Sequence, residues 1–299
     1  MMSSNNDISA EVKIWDASHL FNAGSGHSAP KPDYAIILLN APISVPQQDI
    51  FLSLWTRARH RLCADGGANR LLDAFGEEAL VNSTVPLPHE IRGDLDSLRE
   101  DTRAFFEKLQ VRITKRDSQN ATDLQKCIKA VEMLEQEELK QGRITEPLEL
   151  VIYGGLSGRF DQTVHTLHVL WTLGAPIPQD QSGTGSRSEK DEDGTISRRG
   201  KTWVVGEQCL VWILEPGRHI IHASSPPLGP TCGLLPLATS SGARIISKGL
   251  RWNLDGTIPS SLPSFLSTSN QIPFSEGKAT IEVETDKTIY WSIELQESK

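Results

Sequence analysis

The chain has 299 residues, of which 38% are hydrophobic and 23% charged, with a formal net charge of -8. Such totals fit one large or two ordinary soluble domains with a real core. The acidic balance argues against a general nucleic-acid binder, whose footprint would be basic, although a metal and a few local Arg or Lys side chains can still build an anion site.

Residues 1–30 are rich in Ser, Asn, Gly and Ala and are expected to be a flexible leader, with Val12, Ile14, Trp15, Leu20 and Phe21 as a patch able to dock on the body. Tyr34 to Leu39 is a continuous apolar run, which suits a strand buried on both faces of a parallel sheet. A helix is expected over 47–60, with Ile50, Phe51, Leu54 and Trp55 on one side. Leu62-Cys63-Ala64 is a short strand ending in Asp65-Gly66-Gly67, and a helix follows from Ala68 to Phe75. Residues 81–90, with Pro86 and Pro88, read as a loop leading to Gly93-Asp94. Val111 to Thr114 is a strand, and Thr122 to Lys140 a helix with Leu124, Cys127, Ile128, Val131 and Leu134 at helical spacing. Leu148 to Tyr153 is a strand running into Gly154-Gly155. Asp161 is placed to cap a helix whose Val164, Leu167 and Trp171 share a face.

This alternation implies a doubly wound, mostly parallel α/β domain over residues 31–205. Within it, 178–200 is polar, with Ile196 its single aliphatic residue, and reads as a disordered insertion. From 206 to 299 the period changes to two. Thr280 to Glu284 alternates, and Ile289, Trp291, Ile293 and Leu295 face one way; Cys209 to Leu214, His219 to His222 and Arg244 to Ser247 are further short strands. A small all-β sandwich or barrel is expected there.

The polar clusters fall at the carboxyl ends of the strands, where open α/β sheets bind ligands. In Gly93-Asp94-Leu95-Asp96-Ser97, two carboxylates two positions apart can turn toward one point and supply oxygens to an octahedral magnesium ion; taken alone, the segment also reads as an ordinary turn. Asp65-Gly66-Gly67 can bring backbone N–H groups and a helix N-terminus to a phosphate, with Asp65 as a third carboxylate, or can be simply a tight turn. Gly154-Gly155-Leu156-Ser157-Gly158-Arg159 offers the same choice, with Arg159 able to fork onto phosphate oxygens. Thr122 reads as a helix cap, while Asp123 can face the same cation.

None of the four cysteines forms a C-x-x-C pair, which argues against a zinc or redox pair, and Cys63 and Cys127 read as buried thiols. The eight histidines show no metal spacing; His165 and His168 read as structural or surface groups. No apolar stretch approaches the roughly 20 residues of a membrane span, and the polar start is not that of a signal peptide, so the expected compartment is the cytoplasm.

Residues 34–295, apart from the insertion, resemble the eukaryotic thiamine pyrophosphokinases. The resemblance rests on Ala64-Asp-Gly-Gly-Ala-Asn-Arg-Leu71, Gly93-Asp-Leu-Asp-Ser97, Thr122-Asp123 and Gly154-Gly-Leu-Ser-Gly-Arg-Phe-Asp-Gln162. In the second domain it rests on Cys232-Gly-Leu-Leu-Pro236, Gly249-Leu-Arg-Trp-Asn-Leu254 and Ser267-Thr-Ser-Asn270. It implies transfer of an intact pyrophosphoryl group from ATP to the hydroxyl of thiamine, giving thiamine diphosphate and AMP. It also implies a homodimer with active sites between subunits, the α/β domain of one holding ATP and Mg2+ and the β domain of the other enclosing thiamine.

Asp65, Asp94, Asp96 and Asp123 match the family's metal and phosphate carboxylates, and any of them can take the hydroxyl proton. Arg159 is the candidate for phosphate charge. Gly66, Gly67, Asn69, Gly155, Gly158 and Asp161 complete the nucleotide set. Gln119, Trp252, Ser267 and Asn270 are the thiamine candidates, Trp252 having a plain core position as its other reading. One departure stands out: many members carry Asp-Gln-Asp-x-Thr-Asp where this chain has Ser118-Gln119-Asn120-Ala121-Thr122-Asp123. Two other functions compete, a thiamine or nucleotide sensor without catalysis and a magnesium-dependent nucleotide hydrolase. The retained carboxylates oppose the first, and the retained second-domain motifs oppose the second.

Overall fold

The computed structural model describes residues 12–21, 33–174 and 196–296. In chain order the elements are β1 (Lys13–Asp16), α1 (Ser18–Phe21), β2 (Tyr34–Leu38), α2 (Gln48–Arg57), β3 (His60–Ala64), α3 (Gly67–Val81), β4 (Glu90–Gly93), α4 (Glu100–Lys108), β5 (Arg112–Lys115), α5 (Asp123–Lys140), β6 (Glu149–Tyr153) and α6 (Phe160–Gly174). There follow β7 (Thr202–Val205), β8 (Cys209–Leu214), β9 (Gly217–Ser224), β10 (Leu228–Leu235), β11 (Ile245–Lys248), β12 (Ser267–Gln271), β13 (Lys278–Thr285) and β14 (Ile289–Leu295). Among the described residues they fall into two compact units, one built mainly of 19–213 and one of 12–18 with 214–294.

The first unit is the expected α/β domain. Its strands lie in the order β8-β7-β6-β2-β3-β4-β5, parallel from β7 through β5, with β8 antiparallel to β7. Every residue of β2 is buried, as a strand covered on both faces requires. The chain steps outward from β2 through β3, β4 and β5, then returns to the other side of β2 with β6. That reversal opens a crevice at the carboxyl ends of β2 and β6. α5 starts with a capping box, in which Thr122 Oγ1 accepts from the Gln125 N–H and the Gln125 side chain accepts from the Thr122 N–H. Its apolar stripe packs over β3 and β4, with Cys127 and Ile128 fully buried.

Several elements differ from expectation. α3 runs on to Val81, broken at Gly76, where φ is 74°. α4 carries only Thr102 and Phe106 as buried residues, too thin a stripe to stand out in the sequence. In α6 the expected face is reversed: Val164 is 47% exposed, and the buried stripe is Thr166, Val169, Leu170 and Leu173. This helix is apolar on several sides, so helical spacing alone selects more than one stripe. Asp161 lies inside its first turn, paired with Arg159, rather than in front of it as a cap.

Of the insertion expected at 178–200, residues 178–195 lie outside the described residues. Residues 196–200 are not a disordered tail. Arg199 is buried and ion-paired with Glu135 of α5, donates to Leu148 O at 2.8 Å, and Ser197 N–H donates to Glu132 Oε1 at 2.6 Å. Removing one partner of such a buried pair costs about 3–5 kcal/mol, because the other charge is stranded.

The second unit is β-rich. β1, β9, β13 and β11 form a four-stranded sheet in that order, and β12, β10 and β14 are successive neighbours outside it. The leader was expected to be loose, yet Lys13–Asp16 pairs in parallel with β9, Lys13 opposite His219. Trp15 Nε1 donates to His219 Nδ1 at 3.0 Å in the interior. Of the expected docking patch, Trp15 and Leu20 are buried while Val12 and Ile14 are exposed. The β-rich unit starts at Leu214, so most of β8 belongs with the α/β unit rather than beyond a boundary at 206. Among the described residues no helix is long and apolar enough to cross a membrane.

At the amino ends of β3 and β4, His89 Nδ1 accepts the Arg61 N–H at 3.0 Å. Burial, with the charges of Arg61 and His60 adding to it, lowers the His89 imidazole from 6.5 to about 4. The unfolded chain takes up that proton near 6.5 while the folded chain resists it until about 4. His89 therefore contributes stability above 6.5 that is lost as pH falls through about 4. A His89→Asn variant keeps an acceptor for Arg61 without the titration. Its melting temperature should depend less on pH than that of the native chain across this window, as read by thermal unfolding at a series of pH values.

Candidate functional site

The carboxyl ends of β3, β4 and the start of α5 converge. Asp65 follows β3, Asp94 follows β4 and Asp123 opens α5. One oxygen of each lies within 4.8 Å of the others, an arrangement that could hold a divalent cation. The backbone is bent to achieve this: Asp65 and Leu95 both have positive φ, 46° and 67°. For residues with a Cβ this region is unfavourable by about 1–2 kcal/mol.

Each carboxylate has one oxygen occupied by the protein. Asp65 Oδ2 accepts Ser97 N–H at 3.0 Å, Asp94 Oδ1 accepts Asp96 N–H at 3.1 Å, and Asp123 Oδ1 accepts Asp94 N–H at 3.0 Å. Asp65 Oδ1 is left buried and without a hydrogen-bond partner. An orphaned carboxylate oxygen in the interior is costly unless something positive meets it. Burial raises the Asp65 carboxyl above its ordinary value. The Ser97 N–H opposes that rise, and the charges of Asp123 and Asp94 add to it. A cation of the size that hard oxygen ligands prefer would satisfy the orphaned oxygen and relieve the repulsion together.

Gly93 makes the cluster possible. A Cβ at this position would lie 2.8 Å from Asp65 Cβ and 2.9 Å from Asp123 Oδ1. The expected phosphate-binding glycines take their places at two turns. Gly66 precedes α3 and Gly67 opens it, while Gly155 and Gly158 follow β6 with φ of 79° and 81°. A Cβ on Gly155 would meet Thr166 Oγ1 at 2.5 Å, so the loop lies tight on α6.

Other expected residues have different tasks. Asp96 is exposed and stands outside the three-carboxylate cluster, its N–H holding Asp94. Asn69 is 6% exposed and ties the start of α3 to the loop between β4 and α4, its Nδ2 donating to Ser97 O at 2.7 Å and its Oδ1 accepting Arg99 N–H at 3.1 Å. Arg159 and Asp161 form an ion pair with side chains 74% and 61% exposed. Gln119 is exposed in the loop before α5, its Nε2 donating to Asp117 O at 3.4 Å.

In the β-rich unit, Trp252 is 55% exposed, which sets aside its reading as a core residue. Arg251 stacks over its ring at 5.0 Å. Asn270 and Ser267 are buried beneath it. Asn270 Nδ2 donates to Trp252 O at 2.8 Å and to Ser267 Oγ at 3.0 Å, and Asn270 Oδ1 accepts from the Trp252 N–H at 3.4 Å. Both polar residues therefore hold the loop that presents the indole.

One residue read as structural or surface has a definite link, and one escaped the sequence reading. His165 Nε2 lies 2.8 Å from Thr122 Oγ1 and links α6 to the start of α5. Lys126, one turn after Asp123, is 1% exposed and donates from Nζ to Asp123 Oδ1 at 3.0 Å. Lys126 stands off the apolar stripe of α5, so helical spacing gave no signal of its burial.

Residues 51–178 match the model of the thiamin pyrophosphokinase catalytic domain, and 218–290 that of the thiamin pyrophosphokinase vitamin B1 binding domain. Thiamine pyrophosphokinase 1 of Arabidopsis thaliana is 33% identical over 276 residues, covering 89% of this chain and 87% of that protein. The chain belongs to the thiamine pyrophosphokinase family. Thiamine pyrophosphokinase of Saccharomyces cerevisiae is 26% identical over 283 residues, covering 82% of this chain and 81% of that protein. The crystal structure of yeast thiamin pyrophosphokinase superposes with a TM-score of 0.70 at 24% identity, over 98% of this chain and 94% of that one. Thiamin pyrophosphokinase from Candida albicans gives 0.69 at 21% identity, over 95% and 93%. These two structures share the fold of this family member, and the carboxylate cluster lies within its catalytic-domain match.

Gly93→Ala tests the crowding. Overpacking of this kind costs about 1–3 kcal/mol, so Mn2+ binding, followed by electron paramagnetic resonance, should weaken by about tenfold or more while far-ultraviolet circular dichroism stays native.

Proposed function

We propose that the chain is a thiamine diphosphokinase, transferring the pyrophosphoryl group of ATP to the hydroxyl of thiamine. The observation that carries this is the convergence of Asp65, Asp94 and Asp123 at the strand ends of a chain that belongs to this family. The thiamine oxygen forms a bond to the β-phosphorus as the bond from that phosphorus to the α-phosphate oxygen breaks. The products are thiamine diphosphate and AMP, and the hydroxyl proton passes to a carboxylate. Asp65, Asp94 and Asp123 would hold Mg2+, which supplies charge neutralisation for the polyphosphate. The loops at Gly66-Gly67 and Gly155–Gly158 would bring backbone N–H groups to the phosphates, with Arg159 leaving Asp161 to meet phosphate charge. With little covalent work for the protein, the rate comes from positioning and electrostatics.

Trp252 is the proposed platform for thiamine, whose rings carry a π-face and a thiazolium charge; the guanidinium of Arg251 already stacks on that indole. Ser267 and Asn270 act on thiamine through the loop they hold, and Gln119 is a further contact candidate. A homodimer in the cytoplasm, with each thiamine platform serving the partner's α/β unit, completes the proposal. The exposed apolar side chains Ile258, Leu262 and Phe265 of the β-rich unit are consistent with a covered surface.

The deciding experiment incubates the purified chain with thiamine, ATP and Mg2+ and quantifies AMP and thiamine diphosphate. Equal formation of both, lost on chelation, is expected; ADP with thiamine monophosphate, or phosphate release without a thiamine ester, would contradict the assignment. In the same assay Trp252→Ala should raise the KM for thiamine by about tenfold, the loss of about 1–2 kcal/mol of stacking and cation–π energy, with a smaller change in kcat.

A further inference from the structure

Lys126 has no part in the reaction as set out above, yet it is the most deeply buried charged side chain among the described residues, at 1% exposure. It cannot touch a nucleotide from there. An ammonium withdrawn from water is strongly unfavourable unless it is paired. Its hydrogen-bond partner is Asp123 Oδ1, 3.0 Å away, the same oxygen that accepts the Asp94 N–H. Asp123 is one of three carboxylates whose ligand oxygens crowd within 4.8 Å. One positive charge is thus fixed behind three negative ones, on the side of Asp123 turned into the protein.

We infer that Lys126 is the resident countercharge of this cluster. It is a positioning residue with two effects. It occupies Asp123 Oδ1, so that Oδ2 is the oxygen offered to a cation. It also offsets part of the repulsion among Asp65, Asp94 and Asp123, so that the cluster stands preformed without a cation and binds one less tightly than three unopposed carboxylates would. The inference rests on reading those carboxylates as a divalent-cation site. It has a definite sign, because a fixed positive charge near a cation opposes binding.

The test is Mg2+ binding to the full chain without nucleotide or thiamine, by isothermal titration calorimetry at about pH 8.5, where carboxylates are ionised. Lys126→Met is expected to bind Mg2+ about tenfold more tightly than the native chain. Its metal-free melting temperature should fall, and Mg2+ should raise that temperature by more than it does in the native chain. Lys126→Arg keeps the charge and should show no gain in affinity. Unchanged or weaker binding by Lys126→Met overturns the inference, since a lysine that only packs, or only clamps Asp123, cannot raise affinity when removed. A gain in Lys126→Arg overturns it as well. If Lys126→Met does not fold, Lys126→Gln is judged by the same criteria. In the native chain the Lys126 ammonium nitrogen resonance should move on titration with Mg2+, and a resonance indifferent to the metal counts against the role. A native chain that forms no thiamine diphosphate would sink the proposed activity while leaving these binding results standing.

Discussion

Like charges brought close together are the constraint on which the rest of the α/β unit depends. Three carboxylates within 4.8 Å repel one another in a half-buried setting, and nothing in a short loop would keep them there unaided. Adjacent parallel strands set the ends of β3 and β4 side by side, and the capping box fixes where α5 begins. Two residues accept left-handed backbone, a glycine gives up the space of a side chain, and three backbone N–H groups each take one carboxylate oxygen. The sheet is in this sense a frame for holding an unfavourable charge distribution still.

The two units handle recognition differently. In the α/β unit the groups offered to a ligand are charged and lie on short loops braced by buried polar residues such as Asn69. In the β-rich unit the offered group is an aromatic plane, and the bracing is again an amide, Asn270, gripping main chain from below. In both cases a buried amide side chain determines where the loop above it stands, as supporting residues do in a preorganised site.

What could be read from the sequence differs by element. Strong periodic segments were legible: the all-apolar β2, the amphipathic α5, and the alternation through β13 and β14. The polar clusters were legible as strand-end features because each followed an apolar run. The face of α6 was not, since a helix apolar on several sides satisfies helical spacing more than once. α4 was too weakly apolar to register, and Arg199 hid within a polar stretch because its partner, Glu135, lies 64 positions away. At the site, spacing located the carboxylates but left open which ones meet: Asp96 matches Asp94 in the sequence and parts from it in space. Lys126 was overlooked because it lies off the apolar stripe of α5, where helical spacing predicts an exposed charge.

The parallel pairing of β1 with β9 has a consequence for how the chain is made. Trp15 and His219, which meet across that pair, are 204 positions apart. At ribosomal rates of about 5–20 residues per second, β1 waits roughly 10–40 seconds for its partner. In that interval the strands from β2 to β7, whose parallel pairings are all with one another, are synthesised complete. The α/β unit can thus fold during translation, whereas the β-rich unit closes only near the end. Until then the waiting strand is only four residues long and carries Lys13 and Asp16 at its two ends. Short length and terminal charge are the features that keep an unpaired edge from joining another chain.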